Sequence, residues 1–253
     1  MPFFCYYGGK ARAASFYPKP LHKTIIEPFA GAAGYALRWH YRNVILVEKE
    51  PRVAAVWKYL IAATPKMIRD LPLAKDIPLE GLSKLKTLAP AERWLIGFWF
   101  FKGSSAGPLD KPTPRVLQGN ASYWGAQVRL RLAQQVERIK HWMVVEGDYR
   151  TAPEMDATWF IDPPYQNMGR YYTHGCDEIS FPRLASWCQS REGQVIVCEN
   201  EGADWLPFKP FHTLAATNHG GRNASKEVIW LSKGQKYPTV RKDYGFFPTG
   251  GET

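Results

Sequence analysis

The chain has 253 residues, 45% of them hydrophobic and 22% charged. That size and balance suit one sizeable α/β domain with a small insertion, and they exclude a disordered chain or a small fold that needs staples. The formal net charge of +10 favours an anionic partner, nucleic acid among them, without identifying one.

In chain order, an aromatic and basic opening with the pair Gly8-Gly9 leads into a short β-rich run at 24–29. That run breaks at once into Ala30-Gly31-Ala32-Ala33-Gly34, and 35–41 reads as helix. A nearly continuous apolar strand follows at 43–48 and ends in Glu48. Pro51 then stands where a helix can begin, with Val53, Val56, Trp57, Leu60 and Ile61 at helical spacing. Strand, helix, strand and helix within about forty residues predict the opening of a doubly wound parallel sheet.

Prolines then crowd 64–120, and one helix is expected over about 91–102, so this stretch reads as an inserted subdomain. The aromatics Trp94, Phe98, Trp99 and Phe101 are expected to pack that subdomain's own core. A long helix is predicted over 122–140, with an apolar stripe and a rim of Arg129, Arg131, Arg138 and Lys140. Strands are expected at 141–145, 157–161, 194–198, 211–217 and 227–231, a helix at 181–191, and a polar loop at 218–223. The expected division is a catalytic body of 1–63 and 120–253 with 64–119 inserted.

The cysteines Cys5, Cys176, Cys188 and Cys198 fit no disulfide framework and no CxxC pair, and the histidines form no HExxH. No metal is expected. No apolar run reaches membrane-spanning length, and no charged leader precedes an apolar core, so cytoplasmic residence is the expectation.

Small residues after a strand, at Gly31, Ala33 and Gly34, let a ligand approach the backbone closely. Without a Lys in GKS/T spacing this is not a phosphate-gripping loop. A carboxylate at the end of the next strand, Glu48, can accept both hydrogens of a ribose diol, so the two features together imply a nucleoside cofactor. The spacing is not GxGxxG, which disfavours a dinucleotide.

Asp162-Pro163-Pro164-Tyr165 carries the sharpest signal. Two prolines after an apolar strand make a rigid turn at its carboxyl end, where open α/β sheets bind ligands. The Asp162 side chain and the Pro163 carbonyl supply acceptors for an exocyclic amine, and Tyr165 offers a ring for stacking on a base.

With these residues in view, the chain resembles the Dam-like DNA adenine-N6 methyltransferases of bacteria and bacteriophages. Tyr7-Gly8-Gly9-Lys10 is similar to the family's amino-terminal motif, Glu27-Pro28-Phe29-Ala30-Gly31 to its cofactor loop, and Gly147-Asp148-Tyr149 to its acid-bearing turn. Asp162-Pro163-Pro164-Tyr165 matches the catalytic DPPY, and Arg222 and Glu227 resemble the closing region. Ala33 stands at the second glycine position of the family's loop.

The resemblance implies a Rossmann-like methyltransferase fold: a mostly parallel twisted sheet with helices on both faces and a small, mainly helical insertion. It implies S-adenosyl-L-methionine as cofactor. Tyr7 and Lys10 would lie near its methionine end, Glu27 at its amino group and Asp148 at its adenine, with Phe29, Gly31, Ala33, Glu48 and Tyr149 completing the site. The substrate expected is duplex DNA with the adenine flipped into the DPPY pocket. Lys102, Lys111, Arg115, Arg129, Arg131 and Arg222 are the candidate DNA contacts, and the segment around Tyr171, Tyr172 and His174 is a candidate lid. No family recognition pattern is present in 64–119, so the specificity is short-site or low. A cognate restriction enzyme fits the resemblance as a partner. The rival readings are methylation of RNA and a silent nucleic-acid-binding module of the same fold.

Overall fold

The computed structural model describes residues 1–101, 107–119, 121–167, 172–218, 221–239 and 241–242, with side chains described outside 214–225 and 241–242. The first half of the sheet is β1 (Thr24–Glu27), β2 (Asn43–Glu48), β3 (Met143–Glu146) and β4 (Ala157–Ile161). The second half is β5 (Gly193–Asn200), β6 (Lys209–Asn218), β7 (Gly221–Leu231) and β8 (Arg241–Lys242). The spatial order is β3-β2-β1-β4-β5-β7-β6-β8. Strands β1 to β5 pair in parallel, while β7 runs antiparallel between β5 and β6. The dinucleotide-binding order 3-2-1-4-5-6 has no such intervening strand.

The helices are α1 (Gly34–Arg38), α2 (Pro51–Ala62), α3 (Pro65–Asp70), α4 (Pro90–Phe98), α5 (Pro114–Leu117), α6 (Ala126–Gln135) and α7 (Phe181–Gln189). Pro51 opens α2, as its fixed φ favours, and the Glu50 side chain caps it by accepting from Arg52 N at 3.3 Å. The long helix expected over 122–140 is shorter. It ends at Gln135 and tightens into a 3-10 turn, Val136–Ile139. Within the polar loop expected at 218–223, Asn218 ends β6 and 221–223 begin β7, paired as a hairpin, while 219–220 lie outside the described residues.

Strand side chains alternate between two cores. Ile25, Leu46, Phe160 and Ile196 meet α2, α4 and α6 through Trp57, Leu95 and Leu132 on one face. Ile26, Val47, Trp159, Ile161 and Val197 meet α7 through Leu184 and Cys188 on the other. Helices therefore cover both faces, and β4 is buried along its whole length.

The segment 64–119 does not build a core of its own as expected. Its apolar residues extend the first-face core: Phe98 stacks on Phe4 at 5.0 Å, and Trp99 Nε1 donates to the Phe3 carbonyl at 2.9 Å. Phe101 alone among the named aromatics is exposed, at 44%.

Two cations of the α6 region close helix ends. Lys140 donates to the carbonyls of Ile61 and Ala63 at the end of α2, and Arg129 Nη1 donates to Leu71 O, the C-cap of α3, at 2.5 Å. Positive charge is favourable there, where carbonyls lack helical partners and the helix dipole is negative. Arg131 lies half-buried with its guanidinium over the Trp99 ring at 5.2 Å. Two of the candidate DNA contacts, Arg129 and Arg131, thus each have a packing partner within the fold. Replacing Lys140 or Arg129 by Met is expected to cost about 1–2 kcal/mol each, read as a lower urea midpoint, with nucleic-acid affinity unchanged.

Candidate active site at the sheet switch point

Strand order reverses between β1 and β4, and their carboxyl ends open one crevice. Open α/β sheets bind ligands at that place. The crevice is a cavity of about 320 Å³, at the small end of ligand sites. It is lined by the loop after β1, the end of β2, residues 6–10, the turn after β4, residues 148–150 and part of 172–183.

All nine candidate cofactor residues line this cavity: Tyr7, Lys10, Glu27, Phe29, Gly31, Ala33, Glu48, Asp148 and Tyr149. Of the DPPY turn, Asp162 and Pro164 line it as well. Pro163 is buried behind them, and Tyr165 is half-buried with its ring 4.8 Å from Lys10 Nζ. Among the candidate DNA contacts, Lys111 and Arg115 are exposed, and Arg115 Nη1 lies 3.4 Å from Tyr123 Oη. Lys102 lies outside the described residues, as does the side chain of Arg222. Of the candidate lid, Tyr171 lies outside the described residues, while Tyr172 and His174 line the cavity. The Tyr172 hydroxyl donates to Tyr7 O at 3.4 Å.

The loop after β1 is built for close packing. Gly31 has φ +45, and a Cβ there would sit 3.0 Å from the Tyr6 ring. Ala33, at φ 49 and ψ 46, is the one described residue other than glycine with positive φ. The Ala33 methyl is buried, yet its backbone holds a conformation that costs an L-residue about 1–2 kcal/mol. Trp57 Nε1 fixes the loop by donating to Gly31 O at 2.8 Å.

Glu48 closes β2 with both oxygens engaged: Oε2 accepts from Gly31 N and Oε1 from Glu50 N, each at 2.8 Å. A carboxylate oxygen has a second lone pair, so these bonds orient the group and still leave it able to accept from hydroxyls. Burial pushes the Glu48 pKa up to about 6, and the two backbone amides hold it from rising further. Asp148 Oδ1 accepts from Arg150 N and Nε at 3.1 and 2.7 Å. Phe29 and Tyr149 stack at 5.4 Å beside it and form an aromatic wall.

At the other end lies a buried charge cluster. Lys10 Nζ is 3.1 Å from Asp162 Oδ1, 3.7 Å from Glu227 Oε1 and 3.0 Å from Gly8 O. Glu227 Oε2 accepts from the Tyr17 hydroxyl at 2.6 Å. Burial works against the Lys10 charge, but Asp162 and Glu227 outweigh it and raise its pKa. Burial pushes Asp162 up to about 6, with Lys10 opposing and Glu227 reinforcing the rise. Glu27, at the end of β1, is pushed by burial up to about 8 despite accepting from Ala36 N at 2.5 Å.

Sequence reasoning gave Glu227 no role beyond the closing region, and it missed Tyr17, Tyr6, Glu50 and the rim cations Lys49, Arg150 and Arg183. Glu50 follows Glu48 by two residues and was legible from that spacing. Tyr17 and Glu227 meet across 210 positions, and no local pattern marks that pairing. Among the described residues no cluster of three or more His, Cys, Asp or Glu could hold a metal ion, and no helix is long and apolar enough to cross a membrane.

No family model matches the chain, and no curated protein matches it. Among solved structures, a conserved hypothetical protein of Streptococcus pyogenes is similar at a TM-score of 0.37 and 10% sequence identity, over 92% of this chain and 96% of that one.

Two expectations follow from this geometry. Glu27 carries a raised pKa, so its contribution to stability is whole below about 4.5 and is lost as pH rises toward about 8. Glu27→Gln is expected to match the wild type near pH 5 and to exceed it by about 3–5 kcal/mol above pH 8, measured by urea unfolding across pH. Ala33→Gly is expected to be neutral within about 1 kcal/mol, because relief at positive φ offsets the lost methyl burial and the added chain entropy. Thermal unfolding checks this, and a drop of about 3 kcal/mol would show that the loop is not strained.

Proposed function

We propose that the chain is an S-adenosylmethionine-dependent methyltransferase that modifies the N6 amine of adenine in DNA. The observation that carries this reading is the convergence of the Asp162 turn, the small-residue loop after β1, Glu48 and Asp148 on one cavity at the switch point. The antiparallel β7 beside β5, which the dinucleotide-binding order lacks, adds support for a non-dinucleotide cofactor.

The residues present fit the cofactor's chemistry. Glu48 is fixed by two backbone amides and keeps lone pairs that a ribose diol could use, and the Phe29–Tyr149 wall suits a purine face. Glu27 would accept from the amino group of the methionine end. A cationic donor there relieves the cost of ionising a carboxyl whose pKa stands at about 8. S-Adenosylmethionine, when bound, supplies a methyl group activated by a sulfonium.

Asp162 accepts a hydrogen bond from the exocyclic amine, and the Pro163 carbonyl of the same turn is the second acceptor. The amine nitrogen becomes more acidic as it forms its bond to carbon, so both acceptors bind the transition state more tightly than the ground state. The C–S pair stays with sulfur, and Asp162 takes the leaving amine proton or passes it to water. Lys10 keeps Asp162 ionised against burial and fixes Oδ1, which leaves the rest of the carboxylate to the amine. The reaction requires the base to leave the duplex, at a cost of a few kcal/mol that pocket contacts return.

The test is incubation of the full chain with labelled cofactor and mixed-sequence DNA, with RNA of the same sequence in parallel, followed by mapping of modified bases. N6-methyladenine in DNA is expected, and transfer confined to RNA or to cytosine would refute the assignment. Asp162→Asn should lower the rate by about 10²–10³-fold while sparing cofactor binding. In the wild type the rate should fall as pH drops through about 6, where Asp162 takes up a proton.

A further inference from the structure

We propose that Glu227 gives the cavity a preference for a cationic methyl donor over its neutral product, because Glu227 and Asp162 together outnumber the single ammonium of Lys10. The inference rests on the methyl-transfer reading above and concerns the charge at the donor's sulfur.

The count is set by geometry. Lys10 Nζ donates a hydrogen bond to the Gly8 carbonyl and lies within ion-pair range of both Asp162 and Glu227. One carboxylate would neutralise Lys10. The second leaves a formal charge of −1 in a place where Lys10 is 6% exposed and Glu227 is 5% exposed. Surplus buried charge is costly unless something balances it.

The neighbours do not supply that balance. Tyr17 gives Glu227 a hydrogen bond but no charge. Tyr165 and Tyr172 lie beside Lys10 and Asp162, and Cys198 faces them from β5. Burial raises the pKa of each of these three, so they remain neutral. Glu27 and Glu199, the acids at the ends of β1 and β5, can only add negative charge; Glu199 itself is bonded to Gln166 N and Trp205 Nε1.

A methyl donor whose acceptor nitrogen is held by Asp162 must bring its sulfonium close to this cluster. The sulfonium supplies the missing positive charge, and the thioether left after transfer does not. Glu227 therefore acts through Lys10 and Asp162 as a specificity-determining residue that favours donor entry and product release.

The test is isothermal titration of the full chain at pH 7.5 and low salt with S-adenosylmethionine, S-adenosylhomocysteine and sinefungin, which carries an ammonium in place of the sulfonium. The quantity read is the ratio of the homocysteine ligand's Kd to that of each cationic ligand. Glu227→Gln should lower this ratio about tenfold, and Lys10→Met should raise it by a similar factor, as expected for one charge a few ångströms away in a partly screened site. Sinefungin should follow S-adenosylmethionine. A ratio that stays at the wild-type value in both variants, or moves the same way in both, overturns the proposal while leaving the methyl-transfer reading intact. Failure of the wild type to bind any of the three overturns both. If Glu227→Gln does not fold, Lys10→Met decides the matter by the sign of its shift.

Discussion

The cavity depends on an ammonium that is buried and shared. Lys10 lies early in the chain, Asp162 follows the central strand β4, and Glu227 sits on β7, yet all three meet within 3.7 Å of one nitrogen. That pairing ties Lys10 to the turn after β4, and together with the Tyr172–Tyr7 hydrogen bond it keeps residues 6–10 on the cavity lining. The arrangement is not a cheap source of stability, since three charges are taken out of water together. Removing one partner leaves the others unpaired at about 3–5 kcal/mol, so the cluster constrains geometry more than it adds free energy. Apolar residues of similar size would hold the same segments together, but they could neither keep Asp162 ionised nor aim it.

The same reasoning reduces what the net charge of +10 can say about partners. Lys10 is spent inside the site, Lys140 and Arg129 close the ends of α2 and α3, and Arg131 lies on Trp99. Arg52 is bound to Glu50 at 2.6 Å, and Lys49 to Glu178 at 2.5 Å. What remains for an external anion is a subset of exposed cations, with Lys111 and Arg115 on the segment before α6 and Arg183 at the cavity rim. A basic composition reports the sum of these uses and cannot separate them.

The parts of the fold legible in the sequence were those specified locally. The nearly continuous apolar runs at 43–48 and 157–161 coincide with β2 and β4 residue for residue, because strands covered on both faces draw mostly apolar residues. The loop after β1 and the DPPY turn were legible because small residues and adjacent prolines restrict the backbone whatever surrounds them. The segment 64–119 was misread in its packing. Its prolines do break it into short helices, but nothing local shows that Phe98 and Trp99 pack on Phe4 and Phe3 from the other end of the chain. The intramolecular partners of Arg129 and Lys140 were hidden for the same reason, since Leu71 and Ala63 owe their nearness to the tertiary fold. Glu227 was visible as a residue and invisible as a partner, because its role depends on Lys10 and Tyr17.

Burial pushes Glu27, Glu48 and Asp162 all upward in a cavity that also holds a buried ammonium. A protein selected for stability alone would replace such acids, so their retention is the kind of cost found where a ligand supplies the compensation. The compensation each one wants differs. Glu48, already bonded to two amides, suits neutral hydroxyls. Glu27 suits a cation, and Asp162 suits an amine hydrogen. A phosphate would be repelled by Glu48 and by the Asp162–Glu227 pair, whereas the exposed Arg183 on the cavity lining would attract it. On the proposed reading, this charge pattern sorts ligands by depth, with the cationic nucleoside inside and the polyanion at the mouth. A base swung in from that polyanion would reach Asp162 without bringing its phosphates past the acids.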